Sequence, residues 1–311
     1  MTIPVLNPES GFRRLQINFS YDGTNFQGWA KQPEYRTVQG VLEELIGKIL
    51  RAKVDCVTAG RTDAGVHATG AVLHVDIPDS DEIVDIENLA FKLNRILDED
   101  IRITNVRVAP SGFHARYSAT ARHYEYRIAD GDRPISPLER HFVADWYRPL
   151  DLELLNQAST SLLGTHDFSA FCKWRENATT IRTLKEFSWH REKTGLLIAR
   201  VCADGFGYNM VRNLVGAAVC VGEKRYDLGW IRRVLTEKSR VSDSYVFPSR
   251  GLTLVKVDYP EDDQLPAIAE LAWKAKQLAN GQLANGQLAN GQLANGQLAN
   301  SLYEQEDEEL E

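Results

Sequence analysis

Six consecutive residues of this 311-residue chain gather a carboxylate, an arginine and two glycines: Gly60-Arg61-Thr62-Asp63-Ala64-Gly65. An arginine close to a carboxylate keeps it ionised near neutral pH, as a nucleophile or base requires, and arginine also clamps phosphate. Gly60 and Gly65 let the backbone approach a ligand or adopt positive φ. The same residues also describe a β-turn whose Asp caps its own loop, with Arg61 in a surface salt bridge, and spacing alone does not choose. Tyr124 alternates with Tyr126 and Ile128 along a strand and reads as an aromatic platform or as plain core. Arg212 stands among Met210, Val211, Leu214 and Val215, where a buried charge is costly unless paired. It reads as the partner of a carboxylate or as a surface arginine. Arg116, Arg122 and Arg127 lie near Tyr124 and read as a phosphate-contacting patch, part of it simply solvated. His67 reads as structural, since no Cys or carboxylate set around it resembles a metal site.

The elements around these residues follow from periodicity. Residues 13–21 alternate Leu15, Ile17, Phe19 and Tyr21 against polar neighbours, a half-buried strand ended by Asp22-Gly23. Thr37 suits a helix N-cap ahead of Val38, Val41, Leu42, Leu45, Ile46, Ile49 and Leu50. Two apolar runs, 56–59 and 71–77, flank the Asp63 loop. A second helix is predicted through Ile86, Leu89, Ala90, Leu93, Ile96 and Leu97, and a strand over 101–108. This is β-α-β-β-α-β, the ferredoxin-like order. It recurs with strands around 124–128 and 141–147, a helix over 152–163, strands over 180–190 and 196–203, helices over 208–221 and 227–235, and a closing strand over 252–257. The expected fold class is therefore α/β of the α+β kind. Two ferredoxin-like halves, 11–110 carrying the catalytic loop and 111–260, join into an extended, mainly antiparallel sheet with a central cleft.

Bulk composition narrows the function classes. The chain carries 43% hydrophobic and 25% charged residues, in the range of soluble globular proteins. No stretch reaches the roughly 18 apolar residues that a bilayer demands, and the first residues lack a basic flank and an apolar core, so no export signal is expected. Cys56, Cys172, Cys202 and Cys220 are scattered and form no CxxC pair, which suits a reducing compartment. The expected location is the cytoplasm. Of the net charge of −7, residues 261–311 hold −8 (ten Asp/Glu, two Lys), leaving 34 basic against 33 acidic residues before them, +1. A body at +1 is compatible with an RNA partner without arguing for one. The end of the chain repeats Gln-Leu-Ala-Asn five times, joined by Gly281, Gly286, Gly291 and Gly296. Leucines five apart make no helical stripe, and one Gly in five weakens a helix. Residues 261–311 therefore read as a disordered low-complexity and acidic tail.

At the Asp63 loop a specific resemblance enters. Gly60-Arg-Thr-Asp-Ala-Gly-Val-His-Ala68 resembles the catalytic signature of the TruA family of tRNA pseudouridine synthases. Tyr21-Asp-Gly-Thr-Asn-Phe-Gln-Gly-Trp29 is similar to that family's YDGTxFxGW segment, and Phe113-His-Ala-Arg-Tyr-Ser-Ala-Thr-Ala-Arg-His-Tyr-Glu-Tyr126 to its FHARFSAxxRxYxY segment. Gly164-Thr-His-Asp-Phe168, Met210-Val-Arg-Asn213 and Gly251-Leu-Thr-Leu254 resemble three later motifs in family order, so the likeness spans about 13–258. Three positions depart: Ala30 stands where Gln is usual, Ala71 where GQV is usual and Asn209 where His is frequent, and none removes a charge the chemistry needs.

The resemblance implies roles for particular residues. Asp63 matches the catalytic aspartate. Arg61 matches the arginine that helps extrude the target nucleotide and holds its phosphate, and Tyr124 the aromatic that stacks on the uracil. Arg212 matches the arginine paired with the carboxylate, and Leu252 and Leu254 line the pocket. It further implies a tRNA partner, uridines in the anticodon stem-loop at positions 38–40 in tRNA numbering, and a homodimer. The reaction detaches uracil from C1′, turns it and rejoins it through C5; nothing is oxidised and no group arrives, so no cofactor and no metal are expected. Asp63 either adds covalently to the nucleotide or removes a sugar proton to give a glycal-like intermediate. Two alternatives are a non-catalytic RNA-binding or tRNA-folding protein on the same scaffold, and a glycoside or nucleoside hydrolase pairing Asp63 with Asp22 or Asp167.

Overall fold

The computed structural model describes residues 6–79, 85–173, 179–238 and 245–284. In chain order its elements are β1 (Phe12–Tyr21), α1 (Val38–Leu50), β2 (Val57–Thr58), β3 (His67–Pro78), α2 (Leu89–Asn94), β4 (Ile101–Val108), β5 (Ala121–Asp130), β6 (Ala144–Trp146), α3 (Leu152–Thr160), β7 (Gly164–Asp167), β8 (Ile181–Arg191), β9 (Leu197–Ala203), α4 (Met210–Gly222), α5 (Leu228–Glu237), β10 (Leu252–Asp258) and α6 (Leu265–Ala284). The class is mixed α/β with mainly antiparallel pairing: β1–β3, β1–β4, β2–β3, β7–β8 and β8–β9 are antiparallel, while β3–β10 and β5–β6 are parallel. Contacts divide the chain into two compact units, Met1–Tyr124 with Ser249–Glu270, and Glu125–Pro248 with Leu271–Glu311.

In the first unit the strand order is β4-β1-β3, with β2 on the far edge of β3, the 4-1-3-2 arrangement of a ferredoxin-like half. Leu15, Ile17 and Phe19 of β1 are wholly buried, as their alternation predicts. α1 starts where Thr37 accepts a hydrogen bond from the Gly40 N–H, and it buries Val38, Leu42, Ile46 and Leu50, one residue per turn. Each such side chain contributes about 1.5–3 kcal/mol on burial. α2 is shorter than the predicted 86–97: Leu89, Leu93 and Leu97 are buried, but regular helix ends at Asn94 and Ile96 is 45% exposed. β3 starts earlier than expected, at His67, since 67–68 gain partners on β1 and β10.

The second unit orders its strands β5-β9-β8-β7, with β6 parallel to β5. α4 is apolar on every side, from Met210 to Val221, and almost every residue in it is buried. β7, four residues long and half-exposed, carries no periodicity and was expected only as a turn.

Two expectations about organisation change. The halves were expected to meet near 110 and 111, with the closing strand in the C-terminal half. By contacts, 111–124 and β10 belong to the first unit. The reason is side-chain and ladder bonding: Arg14 donates to the Phe113 carbonyl (2.8 Å), the Ala115 N–H to His74 Nδ1 (3.0 Å) and the Tyr259 hydroxyl to the Ala115 carbonyl (2.8 Å), while β10 pairs with β3. The expected structureless tail from 261 gives way to α6 over Leu265–Ala284. Its first turns bury Leu265 and Ala269, and a helix once nucleated propagates through Gln, Leu and Ala at little cost. The rest of the tail lies outside the described residues.

Behind β3 sits a pair of neutral histidines. The His74 and His114 rings stand 4.7 Å apart, both almost fully buried. Nδ1 of His114 accepts the N–H groups of Arg116 (3.2 Å) and Tyr117 (3.1 Å). Burial and the nearby Arg14 guanidinium push His74 down to about 2 and His114 down to about 4, from an ordinary value of 6.5. The folded protein thus refuses protons that the unfolded chain accepts, so this stability is complete above about 6.5 and is lost as pH falls toward 4. His114→Asn keeps an acceptor for both N–H groups and removes the titration. Urea unfolding at pH 7 and pH 5 is expected to show a stability loss about 2 kcal/mol smaller in His114→Asn than in the parent chain; equal losses would contradict it.

Candidate active site

Asp63 lies between β2 and β3, on the connection spanning residues 59–66, and is half-buried while Arg61 and Ala64 on either side are exposed. The connection is bonded at each end. At its start the Ala59 N–H donates to the Val72 carbonyl (2.9 Å), and the Thr58 hydroxyl donates to the Gly60 carbonyl (3.2 Å). At its end the Val66 N–H donates to the Asp63 carbonyl (3.2 Å), closing a turn. Gly65 has φ +75° at the third position of that turn, where a type II turn requires it. A side chain there would also meet the Ser249 hydroxyl at 2.5 Å.

In the middle, Thr62 is buried, its hydroxyl 2.8 Å from the Tyr21 hydroxyl and its carbonyl accepting the Trp29 N–H at 3.0 Å. Gly28, with φ +89°, lets that neighbouring segment pass close: a Cβ on it would stand 2.9 Å from the Thr62 carbonyl oxygen. The segment is itself stacked against β1, with Tyr21 edge-on to Phe26 and Phe19 tilted on Trp29. His67, expected to be structural, is 2% exposed and uses Nδ1 to accept the Gly23 N–H at 3.0 Å.

Tyr124 stands beside this loop. A Cβ on Gly60 would lie 3.9 Å from its hydroxyl oxygen. Burial, and then the negative charge of Asp63, push the Tyr124 phenol up, so it stays protonated next to the carboxylate. Leu252 and Leu254 are 5% and 0% exposed on β10, whose Thr253 and Leu254 pair with His67 and Ala68 directly after the loop. Asp63, Arg61, Tyr124, Leu252 and Leu254 therefore all belong to the first unit. Arg212 belongs to the second, in the first turn of α4, where Nε donates to the Phe247 carbonyl (2.5 Å) and Nη1 reaches Asn209 Oδ1 (3.4 Å).

Arg122 departs from its expectation. It is 9% exposed, and its guanidinium donates to the carbonyls of Ala59 (3.0 Å), Ala119 (3.0 Å) and Arg116 (2.7 Å). It staples the start of the catalytic loop instead of presenting a cation to phosphate. The signal for this was parity: 122 lies on the same strand face as Tyr124, Tyr126 and Ile128, all buried. Arg127, of opposite parity, meets Glu125 at 3.4 Å, and Arg116 is exposed beside Tyr117. Tyr21 and Thr62 were not expected as site residues, because neither carries a charge and their meeting spans 41 positions of sequence.

The second carboxylates that a hydrolase would need are otherwise engaged. Asp22 accepts from both the N–H (2.9 Å) and hydroxyl (2.5 Å) of Thr24. Asp167 is raised by burial, but its bonds with Lys238, Thr180 and Ser169 outweigh that and hold it below its ordinary value. Asp167 is therefore not kept as a protonated acid.

A model of the tRNA pseudouridine synthase family matches residues 17–118 and 158–260. A protein of Streptomyces griseus subsp. griseus described as tRNA pseudouridine synthase A is 46% identical over 273 residues, 87% of this chain and 96% of its own. One of Frankia casuarinae with the same description is 47% identical over 262 residues, covering 84% and 94% of the two chains. One of Mycobacterium leprae, again so described, is 44% identical over 263 residues, covering 81% and 91%. With the Asp63 loop inside those matched segments, the chain belongs to the tRNA pseudouridine synthase family, isomerases that convert uridine to pseudouridine in tRNA.

Proposed function

We propose that Asp63 is the catalytic carboxylate, adding to the target nucleotide or removing a sugar proton from it, with Tyr124 stacking on the extruded uracil, Arg61 holding its phosphate, Arg212 pairing with the carboxylate, and Leu252 and Leu254 closing the pocket. The observation that carries this reading is Asp63 on a loop bonded at both ends, with the buried Tyr124 hydroxyl beside Gly60 of that loop. Extruding a base costs a few kcal/mol, and stacking on one aromatic ring returns about 1–3 kcal/mol. The N1–C1′ bond breaks with its electron pair left on N1, the uracil turns, C5 bonds to C1′ as the C5 proton leaves, and N1 takes up a proton. Apolar walls from β10 favour recombination of the detached base over its escape to water. A phenol kept neutral beside Asp63 lends the ring to stacking without adding a second negative charge.

The proposal extends to the substrate and assembly: uridines of the anticodon stem-loop at positions 38–40 in tRNA numbering, two copies of the chain acting together, and work in the cytoplasm. The ordered motif resemblance supports this, and among the described residues no helix is long and apolar enough to cross a membrane. Mapping pseudouridine in tRNA transcripts incubated with the protein tests the positions, and modification confined to other regions would overturn them. A non-catalytic RNA-binding role on the same scaffold is the weaker reading, since it gives an ionisable residue on a fixed loop nothing to do.

Asp63→Asn changes one oxygen to nitrogen and should keep tRNA affinity within about twofold while turnover falls by roughly 10²–10⁴-fold or more; retained turnover would remove Asp63 from the mechanism. Tyr124→Ala should lower kcat/KM by roughly 5- to 150-fold, the equivalent of one lost stack. Tyr124→Phe, which keeps the ring, should recover most of that loss, and an unchanged rate in the alanine variant would make Tyr124 ordinary core.

A further inference from the structure

Thr62 is the residue next to Asp63, and it is fixed three ways. Its side chain is 8% exposed, its hydroxyl lies 2.8 Å from the Tyr21 hydroxyl, and its carbonyl accepts the Trp29 N–H at 3.0 Å. Tyr21 is fixed as well. It ends β1, where it pairs with both Ala68 and Ile101, and a bulge in the β1–β3 register between Phe19 and Tyr21 brings it opposite Ala68. Bulges at such places re-aim a side chain. Its ring is packed by Phe19 at 5.9 Å and Phe26 at 6.4 Å, and it is 5% exposed. The pair is therefore a hydroxyl–hydroxyl bond between the end of β1 and the residue that carries the Asp63 peptide.

We infer that Tyr21 and Thr62 are positioning residues for the isomerisation: their bond sets where the Asp63 carboxylate stands relative to the base on Tyr124. This rests on the reading of Asp63 as the catalytic carboxylate. The physical argument is one of tolerance. A reacting group displaced by about 1 Å costs on the order of a hundredfold in rate, and residues 61–64 are a connection, where such displacements are easiest. One peptide unit separates Thr62 from the Asp63 Cα, so a shift at Thr62 reaches the carboxylate with little room for absorption. Both anchoring groups are neutral, so they fix the loop without competing for the charge the reaction uses. Burial holds the Tyr21 phenol in its protonated form, able to donate at all working pH values. Substrate contact is not required of either residue, which separates them from Arg61 and Tyr124.

The test is a kinetic cycle on the full chain. Thr62→Val keeps the shape and removes the hydroxyl; Tyr21→Phe removes the other; Thr62→Ser keeps the bond. Thr62→Val and Tyr21→Phe are each expected to lower kcat by roughly 10- to 100-fold, with KM and tRNA Kd within about twofold of the parent chain. The double variant should be no slower than the worse single one, because one bond cannot be broken twice. Thr62→Ser should restore kcat to within about threefold. A purely structural bond would lower the melting temperature but leave kcat, normalised to folded protein, unchanged, and that result overturns the inference. So would losses that multiply in the double variant, or a fall in tRNA affinity that accounts for the lost rate. If Asp63→Asn is inactive while both hydroxyl variants turn over normally, this inference fails and the reading of Asp63 stands. If the parent chain makes no pseudouridine, both fail.

Discussion

The far edge of β3 is shared between two strands, and the site exists because neither takes all of it. β1 occupies the near edge from Phe12 to Tyr21. On the far edge β2 pairs only at Leu73 and His74, and β10 only at His67 and Ala68. A full-length β2 would continue the ladder along 67–72 and zip the Asp63 connection into a plain hairpin. Because β2 stops after two residues, residues 59–66 leave the sheet plane, and β10 supplies the missing ladder bonds with Leu252 and Leu254 beside them. Gly70 permits this: any Cβ there would fall 2.1 Å from the Val255 carbonyl oxygen. An edge that would otherwise invite unspecific pairing is instead closed by the chain's own last strand.

A connection released from a ladder has to be held by something else. The holding groups here include carbonyls, amides and the hydroxyls of Thr58, Tyr21 and Thr62. The buried Arg122 guanidinium adds bonds to the carbonyls of Ala59, Ala119 and Arg116. Carbonyl dipoles of this kind help a buried cation to be tolerated. Elsewhere in the unit, cations are matched to acids in the ordinary way: Arg14 lies 2.7 Å from Asp76, and Arg36 bonds Asp98 and Asp100.

Much of this was legible in the sequence, and what was not shares a cause. The strands and helices of the first half followed from alternation in β1 and the i, i+4 stripe of α1, because those signals depend only on neighbours in the chain. The Asp63 connection drew attention through its motif. The partner of β10 was not, since a seven-residue apolar strand announces that it is buried but not against what. The division of units followed the same blindness: 111–124 carries motif residues but no periodicity linking it to Arg14 and His74. α6 was hidden for a different reason. The repeat read by itself has no stripe, whereas the helix is nucleated upstream by Leu265 and Ala269 and merely continues into it.

The site divides along the same line. Charged residues are conspicuous in a sequence because charge is rare in an apolar setting, and this draws attention to Asp63, Arg61 and Arg212. Arg122 drew attention too and was assigned outward, although strand parity with Tyr124 already pointed it inward. The hydroxyls of Tyr21 and Thr62 carry no such flag, since a tyrosine on a strand and a threonine in a turn are both commonplace. Their importance arises only when a bulge in the β1–β3 register and a short β2 bring them to 2.8 Å. Chemistry of a charged group can be guessed from residue type, but the accuracy of its placement is a property of non-local pairing, and that pairing is what the fold adds to the sequence.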